Sequence, residues 1–174
     1  MAINAGIFGD KTSFPDRYIP DHDKLVELVG YWKKLGLKIV LTSGTFDLFH
    51  IGHAQYLEKA KELGDVLIVG VDSDERVKRR KGPSRPIVPE EERVLILAHC
   101  RHADVITLKN LDDPSSHLIK IVQPDILVVS KSTKHKDEEV RAKAQYSGEI
   151  VILEPQSETS TSAKLRLIQI KKDE

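Results

Sequence analysis

Residues 38–63 read KIVLTSGTFDLFHIGHAQYLEKAKEL, and the rest of the chain falls into place around them. Lys38-Ile39-Val40-Leu41 is the apolar, β-branched run of a strand buried on both faces, whereas Ala54, Leu57, Ala60 and Leu63 recur at helical spacing until Gly64 stops them. Residues 42–53 therefore join a strand to the start of a helix. The first N–H groups of a helix lack internal partners and stand at the positive end of its dipole, so such a loop can hold a phosphate. Gly44 and Gly52 let backbone approach a ligand closely. His50 and His53, three apart at the helix entrance, lie on one side and can both donate to one anion. The competing readings are surface or capping histidines, and a zinc pair for which no third and fourth ligand follow at a supporting spacing. Neither a G-x-x-x-x-G-K-[ST] loop nor a G-x-G-x-x-G fingerprint occurs in the chain.

Composition bounds the answer. A chain of 174 residues, 40% hydrophobic and 31% charged, is long enough for one domain with a sizeable core and short for two. Twenty-seven basic residues balance 27 acidic ones, so the broad cationic surface of a general nucleic-acid binder is absent and any anion site must be local. One cysteine excludes an internal disulfide. With no signal peptide, lipidation signal or bilayer-length apolar run in view, the expectation is no membrane partner and a cytoplasmic address.

Along the chain, residues 1–20 carry Gly6, Gly9, Pro15 and Pro20 without a sustained period and read as an N-terminal arm, leaving 21–174 as a single domain. Leu25, Leu28, Val29, Trp32 and Leu35 form a helical stripe that begins after Asp21 or Asp23 and stops at Gly36, with Tyr31 and Trp32 assigned to core packing ahead of a dimer contact. Val66-Leu67-Ile68-Val69-Gly70-Val71 is a second buried strand, and strand-helix-strand implies a parallel crossover. Asp72 follows at its carboxyl end, where open α/β sheets place ligands, and is a candidate for a sugar hydroxyl or metal contact, with helix capping as the rival role. Arg76, Lys78, Arg79, Arg80, Lys81 and Arg85 form the densest basic run. Pro86, Pro89 and Glu90-Glu91-Glu92 open a helix that ends near Cys100, read as a small buried residue rather than a metal ligand with His99 and His102. A strand over 104–108, a helix capped by Asp113-Pro114, a strand Ile126-Leu127-Val128-Val129, a helix over 137–146, a strand Ile150-Val151-Ile152-Leu153 and a last helix started by Ser160, Thr161 and Ser162 complete the pattern. The fold class is α/β: five parallel strands, doubly wound, with a ligand crevice at the carboxyl ends of the first and neighbouring strands.

Gly44-Thr45-Phe46-Asp47-Leu48-Phe49-His50-Ile51-Gly52-His53 resembles the G-x-F-D-x-x-H-x-G-H signature of the cytidylyltransferase-like nucleotidyltransferases, a branch of the H-x-G-H superfamily with a Rossmann-like fold. Residues 80–87, residues 89–93 and Ser160-Thr161-Ser162 resemble its other blocks, with spacing closest to the adenylyltransferase domain of bacterial ADP-heptose synthesis enzymes. The resemblance covers about residues 22–170. It implies transfer of a nucleoside monophosphate from ATP, less strongly CTP, to a phosphorylated sugar or polyol such as heptose 1-phosphate. It assigns His50, His53 and Lys81 to catalysis, and Gly44, Thr45, Phe46, Gly52, Ser160, Thr161 and Ser162, together with the histidines, to the nucleotide. Arg85 and, through its E-x-R block, Arg93 are implied phosphate contacts, while Arg79 and Arg80 supply local field only. It also implies Mg2+ carried with the triphosphate, no dedicated protein metal ligands, and a homodimer. At residues 130–136, SKSTKHK, the chain departs from its relatives, having neither K-G-G-D-Y nor G-H-D-W; Lys131, Lys134 and His135 read either as holders of a more anionic acceptor or as a solvated loop.

The implied chemistry is in-line attack of an acceptor phosphate on the α-phosphorus, with pyrophosphate leaving. A phosphate monoester, with a second pKa of about 6, is already mostly dianionic near neutrality and needs no general base. The protein must supply position and positive charge. The alternatives are a glycerol-3-phosphate-type cytidylyltransferase, a flavin-nucleotide adenylyltransferase, and a nucleotide-binding module without turnover.

Overall fold

The computed structural model describes residues 14–131 and 145–155. The helices expected over 137–146 and after Ser162 lie outside these residues, apart from Gln145 and Tyr146, which form a turn instead.

The chain begins with a short helix α1 (Phe14–Arg17) and the stripe helix α2 (His22–Lys34), followed by β1 (Ile39–Gly44), α3 (Ile51–Lys61) and β2 (Val66–Asp72). Helices α4 (Asp74–Lys81) and α5 (Glu90–Ala98) precede β3 (Val105–Lys109), and α6 (His117–Val122) separates β3 from β4 (Ile126–Ser130) and β5 (Glu149–Leu153). All five strands are parallel, in the order β3-β2-β1-β4-β5. The order reverses between β1 and β4, so the loop after β1 stands at the topological switch point, where such sheets bind ligands.

Alternation along the strands divides the core into two layers. Ile39, Leu41, Ile68 and Val105 pack with Leu25, Val29 and Trp32 of α2 and Leu118, Ile119 and Val122 of α6. Val40, Leu67, Val69, Val71 and Ile106 pack with Leu57 and Ala60 of α3 and Val94 and Leu97 of α5. Strands buried on both faces must be apolar on both, which is why their sequences read as continuous runs rather than alternating ones. Aspartates pin the strand starts: Asp65 accepts from the Lys38 N–H, Asp125 from Ile39 N–H and Asp104 from Leu67 N–H.

Several expectations shift by local chemistry. The expected arm is docked from Phe14 onward: Ile19 is a core residue, its N–H donates to the Ile106 carbonyl, and Arg17 Nη1 reaches the carbonyls of Ala98, Cys100 and Ala103 at the end of α5. Asp21 caps α2 by accepting from the Asp23 and Lys24 N–H groups. Trp32 is buried as expected, but Tyr31 turns outward to donate to Glu27. Asp113 does not cap α6; one of its oxygens closes a turn by accepting from Asn110 N–H, and the helix starts later, at His117. The cap of α4 is Ser73, which accepts from Arg76 N–H, rather than Asp72. Among the described residues, no helix is long and apolar enough to cross a membrane.

Candidate active site

The loop between β1 and α3 is short, buried and bent. Thr45, Phe46 and Asp47 are buried, and Phe46 and Leu48 take left-handed backbone angles, φ 52° and 47°. Non-glycine residues in this region carry strain that surrounding contacts must hold. Gly44 serves that bend: a Cβ there would lie 3.0 Å from the Phe46 ring, so the space it opens is filled by Phe46 rather than kept for a ligand.

His50 is the N-cap of α3, its Nδ1 accepting the Gly52 N–H at 3.1 Å. The capping reading is thus correct for one nitrogen. Because a backbone N–H only donates, Nδ1 carries the lone pair in the neutral ring and Nε2 carries the hydrogen, so the ring offers a donor to an anion. His53 sits one turn into the helix with its ring stacked on His50 at 4.0 Å between centroids. Phe46 and Phe49 flank His53 at 5.5 and 5.4 Å, which limits its rotation. The two imidazoles form one preoriented unit at the positive end of α3.

Three ionic clamps hold the loop. Asp47, itself buried, accepts from the Ile87 and Val88 N–H groups and pairs with Arg85 Nη2 at 2.6 Å. Asp72 faces Arg80 at 2.8 Å, Arg76 at 3.3 Å and Lys109 at 3.8 Å, one carboxylate against three cations. Arg80 also donates to Thr45 Oγ1 at 2.7 Å, and so reaches into the loop itself. Arg93, 1% exposed, forms the third clamp, with Nε on the Val88 carbonyl, Nη1 on Thr45 O, and Nη2 on Asp72 O and Asp74 Oδ1.

These contacts bear on two expected roles. Arg93 turns its donors inward onto protein oxygens and positions the loop. Asp72 is engaged by protein cations. Arg80, assigned only local field, donates to the Thr45 hydroxyl, and the signal for it was its place within the basic run, most of which forms helix α4. Arg85 sits against Asp47 and keeps a buried Nε–H without a partner among the described residues. Lys81 ends α4, exposed over part of its length; burial, followed by the nearby Arg80 and Arg85 charges, holds its pKa below the usual lysine range. Lys131 follows β4 beside the switch point and pairs with Glu154 at 2.6 Å on the surface. Ser160, Thr161, Ser162, Lys134 and His135 lie outside the described residues.

The site is therefore a histidine pair at a helix start, with two buried carboxylates outnumbered by five surrounding cations: Arg76, Arg80, Lys81, Arg85 and Lys109. Such a surplus suits a polyanion.

Comparison with known proteins agrees with this geometry. The cytidylyltransferase-like family model matches residues 41–170. A bifunctional protein HldE from Nitratiruptor sp. is 47% identical over 122 residues, which cover 70% of this chain and 26% of that protein; the one from Helicobacter acinonychis is 42% identical over 147 residues, covering 84% and 30%. The chain thus spans about a quarter to a third of the length of these curated relatives. Among solved structures, a lipopolysaccharide core biosynthesis protein from Thermoplasma volcanium superposes with a TM-score of 0.59 at 30% identity, over 68% of this chain and 97% of that one. With the H-x-G-H loop at the switch point of a 3-2-1-4-5 parallel sheet and a family match over most of its length, the chain belongs to the cytidylyltransferase-like nucleotidyltransferases.

Proposed function

We propose that this domain transfers adenylate from ATP to a phosphorylated sugar of the heptose 1-phosphate class, releasing pyrophosphate. The observation that carries the reading is the stacked His50–His53 pair at the start of α3 facing a cationic surplus in which Arg80 reaches the same loop. The choice of ATP over CTP rests on the heptose-type block at residues 80–87 and on the similarity to HldE proteins.

The triphosphate lies along the β1 loop. His50 Nε2–H and the His53 ring donate to α- and β-phosphate oxygens as charge accumulates there, and the Thr45 and Phe46 N–H groups and Lys81 extend the cradle. Ser160, Thr161 and Ser162, which resemble the family's S-T-T block, are assigned to the nucleotide phosphates by that resemblance. The acceptor enters from the side of Arg85 and Lys131, and its dianionic phosphate attacks in line, so no side chain has to remove a proton. That fits a site whose buried carboxylates, Asp47 of the loop and Asp72 at the end of β2, are both held by arginines. Both carboxylates being engaged by arginines, they would offer no cage for Mg2+, which would neutralise phosphate charge if carried in with the triphosphate. A homodimer belongs to this proposal.

Pyrophosphate release, measured with Mg2+, each of ATP, CTP, GTP and UTP, and a panel of sugar and polyol phosphates, tests the reading. Release with ATP and a heptose phosphate that collapses in His53→Ala is the expected result. Release with CTP and glycerol 3-phosphate would replace the substrate assignment, and nucleotide binding without release across the panel would replace transfer by a binding role.

A further inference from the structure

By the carboxyl end of β3, three metal-ligating side chains from separate elements converge. His22 opens α2, His117 opens α6, and Asp113 lies in the turn before it. One ligand atom from each lies within 4.8 Å of the others. His22 Nδ1 and His117 Nε2 are 3.0 Å apart, and His117 Nε2 is 4.0 Å from Asp113 Oδ1. Two imidazole nitrogens on a tetrahedral zinc ion, with bonds of about 2.0–2.1 Å, stand about 3.3 Å from each other. The histidine pair is already near that separation.

The surroundings orient the ligands as metal sites do. His22 Nε2 lies 2.9 Å from the Leu108 carbonyl, which can only accept, so Nε2 holds the hydrogen and Nδ1 of the neutral ring turns its lone pair toward His117. A backbone carbonyl on the remote nitrogen is the usual second contact of a metal-bound histidine. Asp113 Oδ2 accepts the Asn110 N–H at 2.7 Å, fixing the carboxylate by one oxygen and leaving Oδ1 toward His117. Arg76 secures the same turn by donating to the Asn110 and Asp113 carbonyls. Part of the His117 side chain, 31%, is exposed, which leaves a path for a cation and room for a water as fourth ligand.

We propose that His22 Nδ1, His117 Nε2 and an Asp113 oxygen bind one borderline divalent cation of the zinc class, joining the starts of α2 and α6 to the end of β3. Without metal, His117 Nε2–H donates to His22 Nδ1; on binding, that hydrogen passes through solvent to His117 Nδ1, and both freed lone pairs meet the ion. Two imidazoles and one carboxylate favour zinc or cobalt over Mg2+, which prefers an all-oxygen shell. Its three ligands are none of the groups assigned to nucleotidyl transfer; Arg76, which also pairs with Asp72, only secures the turn that carries Asp113.

Titration of the full chain with Co2+ as the spectroscopic probe, followed by competition with Zn2+, tests the site. The expected result is one equivalent of four-coordinate cobalt absorption, displaced by Zn2+ and weakened at least tenfold in His22→Gln and His117→Gln while circular dichroism shows both variants folded. Should either variant fail to fold, histidine ring resonances of the wild type decide: Zn2+ must move His22 and His117 first. No binding by the wild type, undiminished binding by both variants, or shifts confined to His50, His53, His99 and His102 would overturn the proposal.

Discussion

Arg93 Nη1 donates to the carbonyl of Thr45 at 2.5 Å, across 48 residues of sequence, and thereby ties the phosphate loop to helix α5. The same guanidinium meets Asp72 O and Asp74 Oδ1 with its other terminal nitrogen and Val88 O with Nε. One planar fork thus fixes the end of β2, the loop after β1 and the approach to α5 together.

Arg93→Ala should therefore act on stability first. It strips donors from three carbonyls and the Asp74 carboxylate, and breaking such a buried set costs about 3–5 kcal/mol. Arg93→Lys keeps the charge but cannot span the four oxygens, so it should recover less than half of the loss. Urea denaturation measures both. A variant of full stability that lost only affinity for the acceptor would return Arg93 to the role of phosphate contact.

His50 combines two roles that substitution can separate. His50→Ala removes the α3 cap, worth about 1 kcal/mol, as well as the Nε2–H donor. His50→Asp supplies a good cap and a favourable charge for the helix dipole but repels an anion, so it should melt at or above the wild-type temperature while transfer falls at least 100-fold. For His53→Ala, which has no cap to lose, the loss of one donor to a developing anion costs about 3 kcal/mol, or ~100-fold in kcat. Melting curves paired with pyrophosphate release show whether the effects divide this way.

Lys81 should set an alkaline limit on activity. Burial, then Arg80 and Arg85, lower its pKa from 10.5, so its ammonium form is lost at a lower pH than that of a free lysine. The alkaline limb of kcat/KM should fall below pH 10.5, be absent in Lys81→Arg, and move upward in Arg80→Gln, which removes one repelling charge. The sign for stability follows from linkage: in the window between the two pKa values the unfolded chain holds the proton more tightly, so Lys81 contributes an unfolding free energy that rises with pH there. A pH–rate profile whose limb ignores both substitutions would remove Lys81 from the site.

Two glycines should respond in opposite ways to an added methyl. At Gly70 in β2, a Cβ would meet Leu118 Cδ1 at 2.6 Å and Ser43 Oγ at 2.8 Å, so Gly70→Ala should cost about 1–3 kcal/mol through overpacking. At Gly30, within α2, nothing lies within 4 Å of that position, and Gly30→Ala should stabilise by about 0.4–1 kcal/mol by narrowing the unfolded ensemble. Thermal melts of the pair check the packing of α6 on the sheet directly.

Much of the fold was legible because β1 to β4 are buried on both faces and announce themselves as unbroken apolar runs, while the edge strand β5 is partly exposed yet still apolar in sequence. The β1–α3 unit was readable down to the loop that joins its elements, since the order strand, glycine-bearing turn, helical stripe leaves little else to form. The helix limits were less readable: Asp113-Pro114 looks like a cap, yet Asp113 closes a turn onto Asn110 and α6 waits for His117.

By itself the sequence determined the class of the fold and singled out the H-x-G-H loop between β1 and α3, because hydrophobic period and the H-x-G-H spacing are local properties that neighbouring residues cannot hide. Only the tertiary structure decided which charges face one another. Asp47, Asp72 and Arg93 are indistinguishable from surface residues along the chain, and their partners Arg85, Arg80 and Thr45 stand 38, 8 and 48 positions away. The same is true of His22 and His117, brought to 3.0 Å over a separation of 95 residues. A charge's role depends on what desolvates and pairs it, and that is settled by packing across the sheet.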